Sequence, residues 1–359
     1  MTTAIVDNLS GRYVPVDVAE YGGFSGVVKC NDQHLDRYVA TKFIKDRIEV
    51  DRIKDEIAAL LKMRSKNVVQ VYDLISTGED ELGIVLEFVD GSDLLDSSSH
   101  PTDKDDLLRV LWQVASGLSD IHDAGLIHRD IKPNNIKVDP EGVVKIFDFG
   151  LSRETGEEAK TLGFKGTIGF AAPELYSNEV VEFTQAIDVY AYGATALYLA
   201  TGDIPKLLRQ VPPRLAPDDV FNGTLLQGHG ELIDLFKSCF SRNPEQRPSI
   251  SKIRDALSKH LLFNKHQALA VSNAKTHTLD MHNRSAALSL GNIGSFNITY
   301  DGFDFRLQNV VGEVSVNDTR ALSGMAIPGS CVVAIGDQNR HNWERTYITF
   351  DVSNPEVAL

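Results

Sequence analysis

The sequence predicts an α+β fold followed by a small all-β domain, and three observations predict it. Strand-like apolar runs flank a glycine-rich turn between Tyr13 and Val28. Helical periodicity then appears, with Ile53, Ile57, Leu60 and Leu61 on one face and Val189–Ala200 apolar on every side. From about Asn264 to Leu359 the period changes to two, punctuated by Gly, Asn and Asp.

In chain order, Tyr13–Glu20 reads as a strand and Tyr21-Gly22-Gly23-Phe24-Ser25-Gly26-Val27-Val28 as a turn entering a second strand. Glycines let backbone amides approach a phosphate closely, although the same pattern closes many β-hairpins. Val39-Ala40-Thr41-Lys42 is an apolar strand that places a lysine before Phe43, and a buried lysine needs a charged partner. Glu56, beside the apolar face of the following helix, is the expected partner, while Glu49 and Asp51 are expected to reach solvent. The run Val189–Ala200 is shorter than the roughly twenty apolar residues that span a membrane, so a buried central helix is expected. Ile250, Ile253, Leu257 and Leu261 predict a last helix over Ser249–Leu262. Beyond it, Ser295–Tyr300, Phe303–Leu307, Val314–Val316, Cys331–Ile335 and Thr346–Val352 read as strands of an antiparallel sandwich.

The chemistry concentrates in His128-Arg129-Asp130-Ile131-Lys132-Pro133-Asn134-Asn135, followed by a strand over Val143–Phe147 and then Asp148-Phe149-Gly150. Phosphoryl transfer needs a carboxylate to receive a hydroxyl proton, a cation on the transferred phosphate and oxygen ligands for a divalent metal. Asp130, Lys132, Asn135 and Asp148 offer those groups in order, at a spacing that a plain solvated loop rarely matches. Downstream stand Gly166-Thr167-Ile168-Gly169-Phe170-Ala171-Ala172-Pro173-Glu174, then Asp188-Val189-Tyr190-Ala191-Tyr192-Gly193 and Asn243-Pro244-Glu245-Gln246-Arg247-Pro248.

On these motifs, residues from about Gly11 to about Phe263 resemble a eukaryotic-type (Hanks-type) Ser/Thr protein kinase domain of bacterial style. The resemblance implies a bilobal protein kinase fold with a β-rich N-lobe and a helical C-lobe, ATP and Mg2+ as cofactors, and Ser/Thr protein substrates. It implies that Lys42 holds the α- and β-phosphates and pairs with Glu56, that Asp130 is the catalytic base, and that Lys132 lies on the transferred phosphate. Asn135 and Asp148 are the implied metal ligands. Gly23 and Gly26 cover the nucleotide, adenine lies among Val28, Ala40, Leu86, Glu87 and Val89, and Leu86 limits access to the pocket behind. Glu174 is expected to pair with Arg247, Asp188 to hold the catalytic-loop backbone, and Thr167 to join Lys132 at Asp130.

Three departures from the family pattern stand out. Tyr21 replaces the first glycine of the turn, Lys137 stands where an apolar floor for the adenine is usual, and Gly163 occupies the usual phosphothreonine position. The stem of Lys137 is expected to cover the ring while its ammonium snorkels outward. Arg129 and Arg153 resemble a pocket for a phosphate, with Thr161 as the candidate acceptor and Thr155 and Ser152 as alternatives. Glu154, Glu157 and Glu158 read either as standing negative charge for those arginines or as a solvated loop.

The 359 residues carry a formal net charge of -14, which argues against nucleic acid or an anionic membrane as principal partner. Three isolated cysteines and an amino terminus without a basic, apolar leader predict a cytoplasmic protein, where Asn283 and Asn297 stay unglycosylated. The expected domains are residues 1–263 and a β-rich accessory domain, residues 264–359. In the latter, Gly312–Asn317, Ile327–Ser330 and Val332–Gly336 loosely resemble the second half of a forkhead-associated domain, without that family's arginine and Ser-x-x-His element. A generic sandwich for docking a protein partner or for self-association is the plainer reading. The favoured function is an autophosphorylating Ser/Thr kinase. The alternative is a pseudokinase scaffold without turnover, and a small-molecule phosphotransferase ranks below both because Glu174 and Arg247 are present.

Overall fold

A computed structural model describes residues 11–17, 27–44, 57–76, 82–148, 167–176, 183–272 and 275–353. The chain divides into two units, Met1–Leu257 and Ser258–Leu359. In the first, β1 (Tyr13–Asp17), β2 (Val27–Asp32), β3 (Arg37–Ile44), β4 (Val71–Ser76) and β5 (Leu82–Glu87) form an antiparallel sheet ordered β1-β2-β3-β5-β4. The period of two is strict in β2, whose buried Val28 and Cys30 join Tyr13, Val39, Phe43 and Val85 in one core. Residues 57–62 are helical and bury Ile57 and Leu60.

A second small sheet, β6 (Ser92–Asp93), β7 (Ile136–Val138) and β8 (Val144–Ile146), brackets the His128–Asn135 segment in the chain. It rests on α1 (Lys104–Asp123), which starts at Asp103, whose side chain accepts from Asp106 N. Acidic Asp105 and Asp106 suit the positive end of the helix dipole, and Leu107, Leu111, Val114, Leu118 and Ile121 form its buried stripe. Against α1 lies α2 (Gln185–Thr201), buried on nearly every face, as its apolar run requires. On its other side Gly193 lets Cys239 approach closely, since a Cβ there would stand 2.6 Å from Cys239 Cβ. Among the described residues no helix is long and apolar enough to cross a membrane. Two further helices, α3 (Gly230–Ser238) and α4 (Ile250–Leu261), follow.

The second unit contains β9 (Gln267–Ser272), β10 (Lys275–Leu279), β11 (Ser285–Leu290), β12 (Gly294–Tyr300), β13 (Phe305–Gly312), β14 (Val314–Val316), β15 (Thr319–Arg320), β16 (Cys331–Ile335) and β17 (Thr346–Ser353). They form a six-stranded sheet ordered β10-β9-β17-β16-β14-β15 and a three-stranded sheet ordered β11-β12-β13. Inward residues of both, among them Ala270, Ile298, Leu307, Val333, Ile348 and Phe350, make one apolar core.

Several expected boundaries move. The strand expected over Tyr13–Glu20 is described only as far as Asp17. The one expected at Phe303–Leu307 instead begins at Phe305 and runs on to Gly312. The Asp301 side chain accepts from Phe303 N and Asp304 N at 2.8 Å each, and this turn holds both residues out of the ladder. The division of the chain falls before Ser258 rather than after Phe263. The end of α4 belongs with the β-rich unit because His260 and Phe263 pack on the Phe303 ring and Asn264 N donates to Gly302 O.

Ile298 is fully buried at the centre of the second core. Ile298→Ala is expected to destabilise that unit by about 2–5 kcal/mol in urea unfolding of the full chain, and a loss under about 1 kcal/mol would contradict this packing.

Candidate active site

The floor of the site is a buried carboxylate. Asp188, in the first turn of α2 and 1% exposed, accepts from His128 N and Arg129 N at 2.8 Å each, and His122 Nε2 lies 3.0 Å from the same group. Those bonds hold Arg129 in the left-handed region at φ 69°, which an arginine does not adopt unaided. His128 is also buried. Its Nδ1 accepts from Asp130 N at 3.3 Å, so Nε2 carries the proton and donates to Phe147 O at 3.1 Å. Burial pushes its pKa below the ordinary histidine value, in keeping with a neutral ring.

On this base the side chains of the loop converge. Asp130 Oδ2 lies 2.9 Å from Lys132 Nζ and accepts from Asn135 Nδ2 at 3.0 Å. The other N–H of Asn135 goes to Asp130 O at 2.8 Å, so both amide hydrogens are committed and the amide oxygen is left as an acceptor. Lys132 Nζ donates to Thr167 Oγ1 at 3.0 Å, and that hydroxyl lies 3.5 Å from Asp130 Oδ1. Lys42, on β3 and 4% exposed, reaches across from the five-stranded sheet to Asp148 Oδ1 at 2.5 Å. The Asp148 side chain remains 40% exposed, with φ 61°. Lys42 therefore pairs with Asp148 here; its expected partner Glu56 lies outside the described residues, as do Gly23, Gly26 and Thr161.

Around the expected adenine position, Ala40 stands opposite Leu86 across β3 and β5, and Val28 opposite Thr41 across β2 and β3. Val28 and Val89 are buried, and Ala40, Leu86 and Glu87 are half-buried. Lys137, on β7, turns its ammonium to Val89 O at 3.4 Å. Two contacts were not read from the sequence. Lys145 holds the Glu87 carboxylate at 2.9 and 3.0 Å, and its signal is a lysine between buried Val144 and Ile146. The His122 contact with Asp188 had only a histidine at the end of an amphipathic helix to announce it.

Away from the chemistry, Glu174 and Arg247 form a bidentate pair at 2.6 and 2.8 Å, with the arginine side chain fully buried and also bonded to Ser241 O and Ala186 O.

Asn135 and Asp148 present hard oxygen donors, one amide and one carboxylate, the ligand chemistry that suits Mg2+. The donor set fits that ion, and Lys42 fits the phosphates it would accompany.

A family model described as protein kinase domain matches residues 20–259. Sperm motility kinase 2B of Mus musculus is 27% identical over 265 residues, covering 69% of this chain and 52% of the relative. A probable serine/threonine-protein kinase of Clostridium perfringens is 32% identical over 206 residues, covering 55% of this chain and 30% of the relative. Mitogen-activated protein kinase kinase kinase YODA of Arabidopsis thaliana is 31% identical over 221 residues, covering 59% of this chain and 24% of the relative. The chain thus spans about half the length of the first relative and less of the others. The crystal structure of Rad53 1-466 in complex with AMP-PNP superposes with TM-score 0.54 at 24% identity, covering 68% of this chain and 64% of that one, a likeness of fold.

Two outcomes are expected from this geometry. Glu174→Ala leaves a buried guanidinium without its counter-charge and should cost roughly 3–5 kcal/mol of unfolding free energy in urea. A histidine kept neutral when folded, but free to protonate when unfolded, stabilises the fold fully above its ordinary pKa and less as pH falls below it. The loss of melting temperature between about pH 7.5 and about pH 5.5 should accordingly be smaller in His128→Gln than in wild type, and equal losses would contradict a neutral His128.

Proposed function

The chain belongs to the protein kinase domain family, and from that membership we propose that it is an ATP-dependent Ser/Thr protein kinase that phosphorylates itself. The observation that carries this reading is the convergence of Asp130, Lys132, Asn135 and Thr167 within hydrogen-bond reach. Relatives named as serine/threonine-protein kinases support the acceptor class.

In this reading Asp130 receives the proton of a Ser or Thr hydroxyl as its oxygen bonds to the γ-phosphorus, and the bond to ADP breaks. Asn135 holds the Asp130 carboxylate from one side and Thr167 meets its other oxygen, so the base is oriented before the acceptor arrives. Lys132, already beside Asp130, offers its ammonium to the transferred phosphate. Lys42 takes the α- and β-phosphates, and Glu56 is its proposed partner in that state. Asn135 and Asp148 would hold Mg2+, whose charge offsets that of the phosphates. Gly23 and Gly26 cover the nucleotide, and Val28, Ala40, Leu86, Glu87 and Val89 enclose the adenine.

We place residues 264–359 as a β-sandwich accessory domain for a protein partner, on the strength of its two sheets and shared core. The proposed location is cytoplasmic, supported by three buried free thiols.

The test is incubation of the full chain with Mg2+ and ATP beside Asp148→Asn, read by intact mass and phosphosite mapping. Phosphate on Ser or Thr in wild type, lost by about a hundredfold or more in the variant, is expected. Undiminished transfer by Asp148→Asn would overturn the assignment. Nucleotide binding without any transfer would point to the scaffold reading. A map that omits Thr161 would remove it as the candidate acceptor.

A further inference from the structure

A bare sheet edge invites another strand, and most edges among the described residues are guarded. β1 carries Pro15 with a register shift beside it, β4 carries a register shift and Asp73, and β10 carries Lys275 and His277. β6 and β15 are two residues long. β8 is covered by bonds to Asn67 and Val69, and β13 by residues 324–327, where Leu307 N donates to Met325 O and Ile327 N to Phe305 O. β11 differs from all of these. Its ladder with β12 runs without a register shift, no described strand pairs with its far side, and no residue from Ser285 to Tyr300 carries a charge.

The ladder fixes which groups that edge presents. Tyr300 N donates to Arg284 O at 2.8 Å, so the even-numbered residues of β11 bond to β12. The N–H and C=O of Ser285, Ala287 and Ser289 therefore point away from β12, along the free edge. Ala286, Leu288 and Leu290 pack on the core yet stay half-buried, whereas Ser285, Ala287 and Ser289 are exposed. The strand is self-complementary about Ala287. Turned on a two-fold axis there, Ser285 meets Ser289 and Ala287 meets Ala287, all as hydrogen-bonded pairs. On the inner face Ala286 meets Leu288, small against large, and the half-buried apolar row gains cover. Two copies of a chain with net charge -14 repel each other, and this strand brings no carboxylate against its own image. We propose that β11 is the contact for a second copy of this chain, joined edge to edge so that two three-stranded sheets become one. This names the partner of residues 264–359 and rests on reading them as a docking domain, independently of the phosphotransfer chemistry. Each copy spends the same edge, so the pairing closes at a dimer.

The test is sedimentation velocity of the full chain without nucleotide, between about 1 and about 100 µM, where a monomer–dimer equilibrium is expected. Ala287→Pro removes a free-edge N–H while leaving the bonds to β12, and should weaken dimerisation by about tenfold or more at an unchanged melting temperature. Ala287→Lys, which sets two ammonium groups against each other across the axis, replaces a proline variant that fails to fold. Cross-linking reads the register, because the native cysteines are buried. Under copper-phenanthroline oxidation Ala287→Cys should form a disulfide-linked dimer, and Ser285→Cys should do so only when mixed with Ser289→Cys. A chain monomeric throughout the range overturns this inference, while the docking reading stands with a partner of another kind. A dimer that neither Ala287→Pro nor Ala287→Lys weakens, and that Ala287→Cys does not link, places the contact elsewhere and also overturns it.

Discussion

The geometry of the site depends on one buried carboxylate. Asp188 sits in the first turn of a helix that is nearly all apolar, where an ionised group is costly unless its lone pairs are used. Two backbone amides and the contact from His122 use them. The benefit runs outward, because those same amides fix His128 and Arg129, and His128 in turn accepts from Asp130 N and donates to Phe147 O. Asp130 and the strand that delivers Asp148 are therefore both referred to one helix. Strain at Arg129 is tolerated because the surrounding bonds over-determine it.

A second constraint joins the sheet to that framework. Lys42 is nearly sequestered, so its charge needs a partner, and Asp148 supplies one while remaining partly open. In the proposed reaction both charges must find new company. Phosphate oxygens offer it to Lys42, and a divalent cation offers it to Asp148. The pair thus keeps two buried or half-buried charges compensated without occupying the groups permanently.

Much of the site was legible because its chemistry is local in sequence. Asp130, Lys132 and Asn135 lie within one short loop, and phosphoryl transfer constrains their types and spacing tightly. The Glu174–Arg247 pair came from motif resemblance, not from spacing, since nothing in a sequence shows that two such distant residues meet. The same difficulty hid Lys145 on Glu87 and His122 on Asp188: each is an ordinary residue until a tertiary contact gives it a partner. Alternation located β12, β14, β16 and β17 of the second unit but not β9, β10, β11 or β15, nor the start of β13, where a side-chain turn at Asp301 overrode it. The apolar run at Val189–Ala200 was readable as a central helix because its length settled the question.

Lys137 and Lys145, opposite each other on the β7–β8 ladder, show how magnitudes decide such matters. Like charges directly opposite on an antiparallel pair cost about 0.2–1 kcal/mol by the scale of cross-strand interactions. A hydrogen bond from a charged donor to a good acceptor gains about 1.5–3 kcal/mol in favourable geometry, and less when long. Lys145, with two short contacts to a carboxylate, lies well on the favourable side. Lys137, with one contact of 3.4 Å to a neutral carbonyl, sits near balance unless Asp93 and Asp90 help, as the direction of their influence on its pKa indicates. The two lysines are therefore unequal: Lys145 stabilises the linker, and Lys137 contributes little to it.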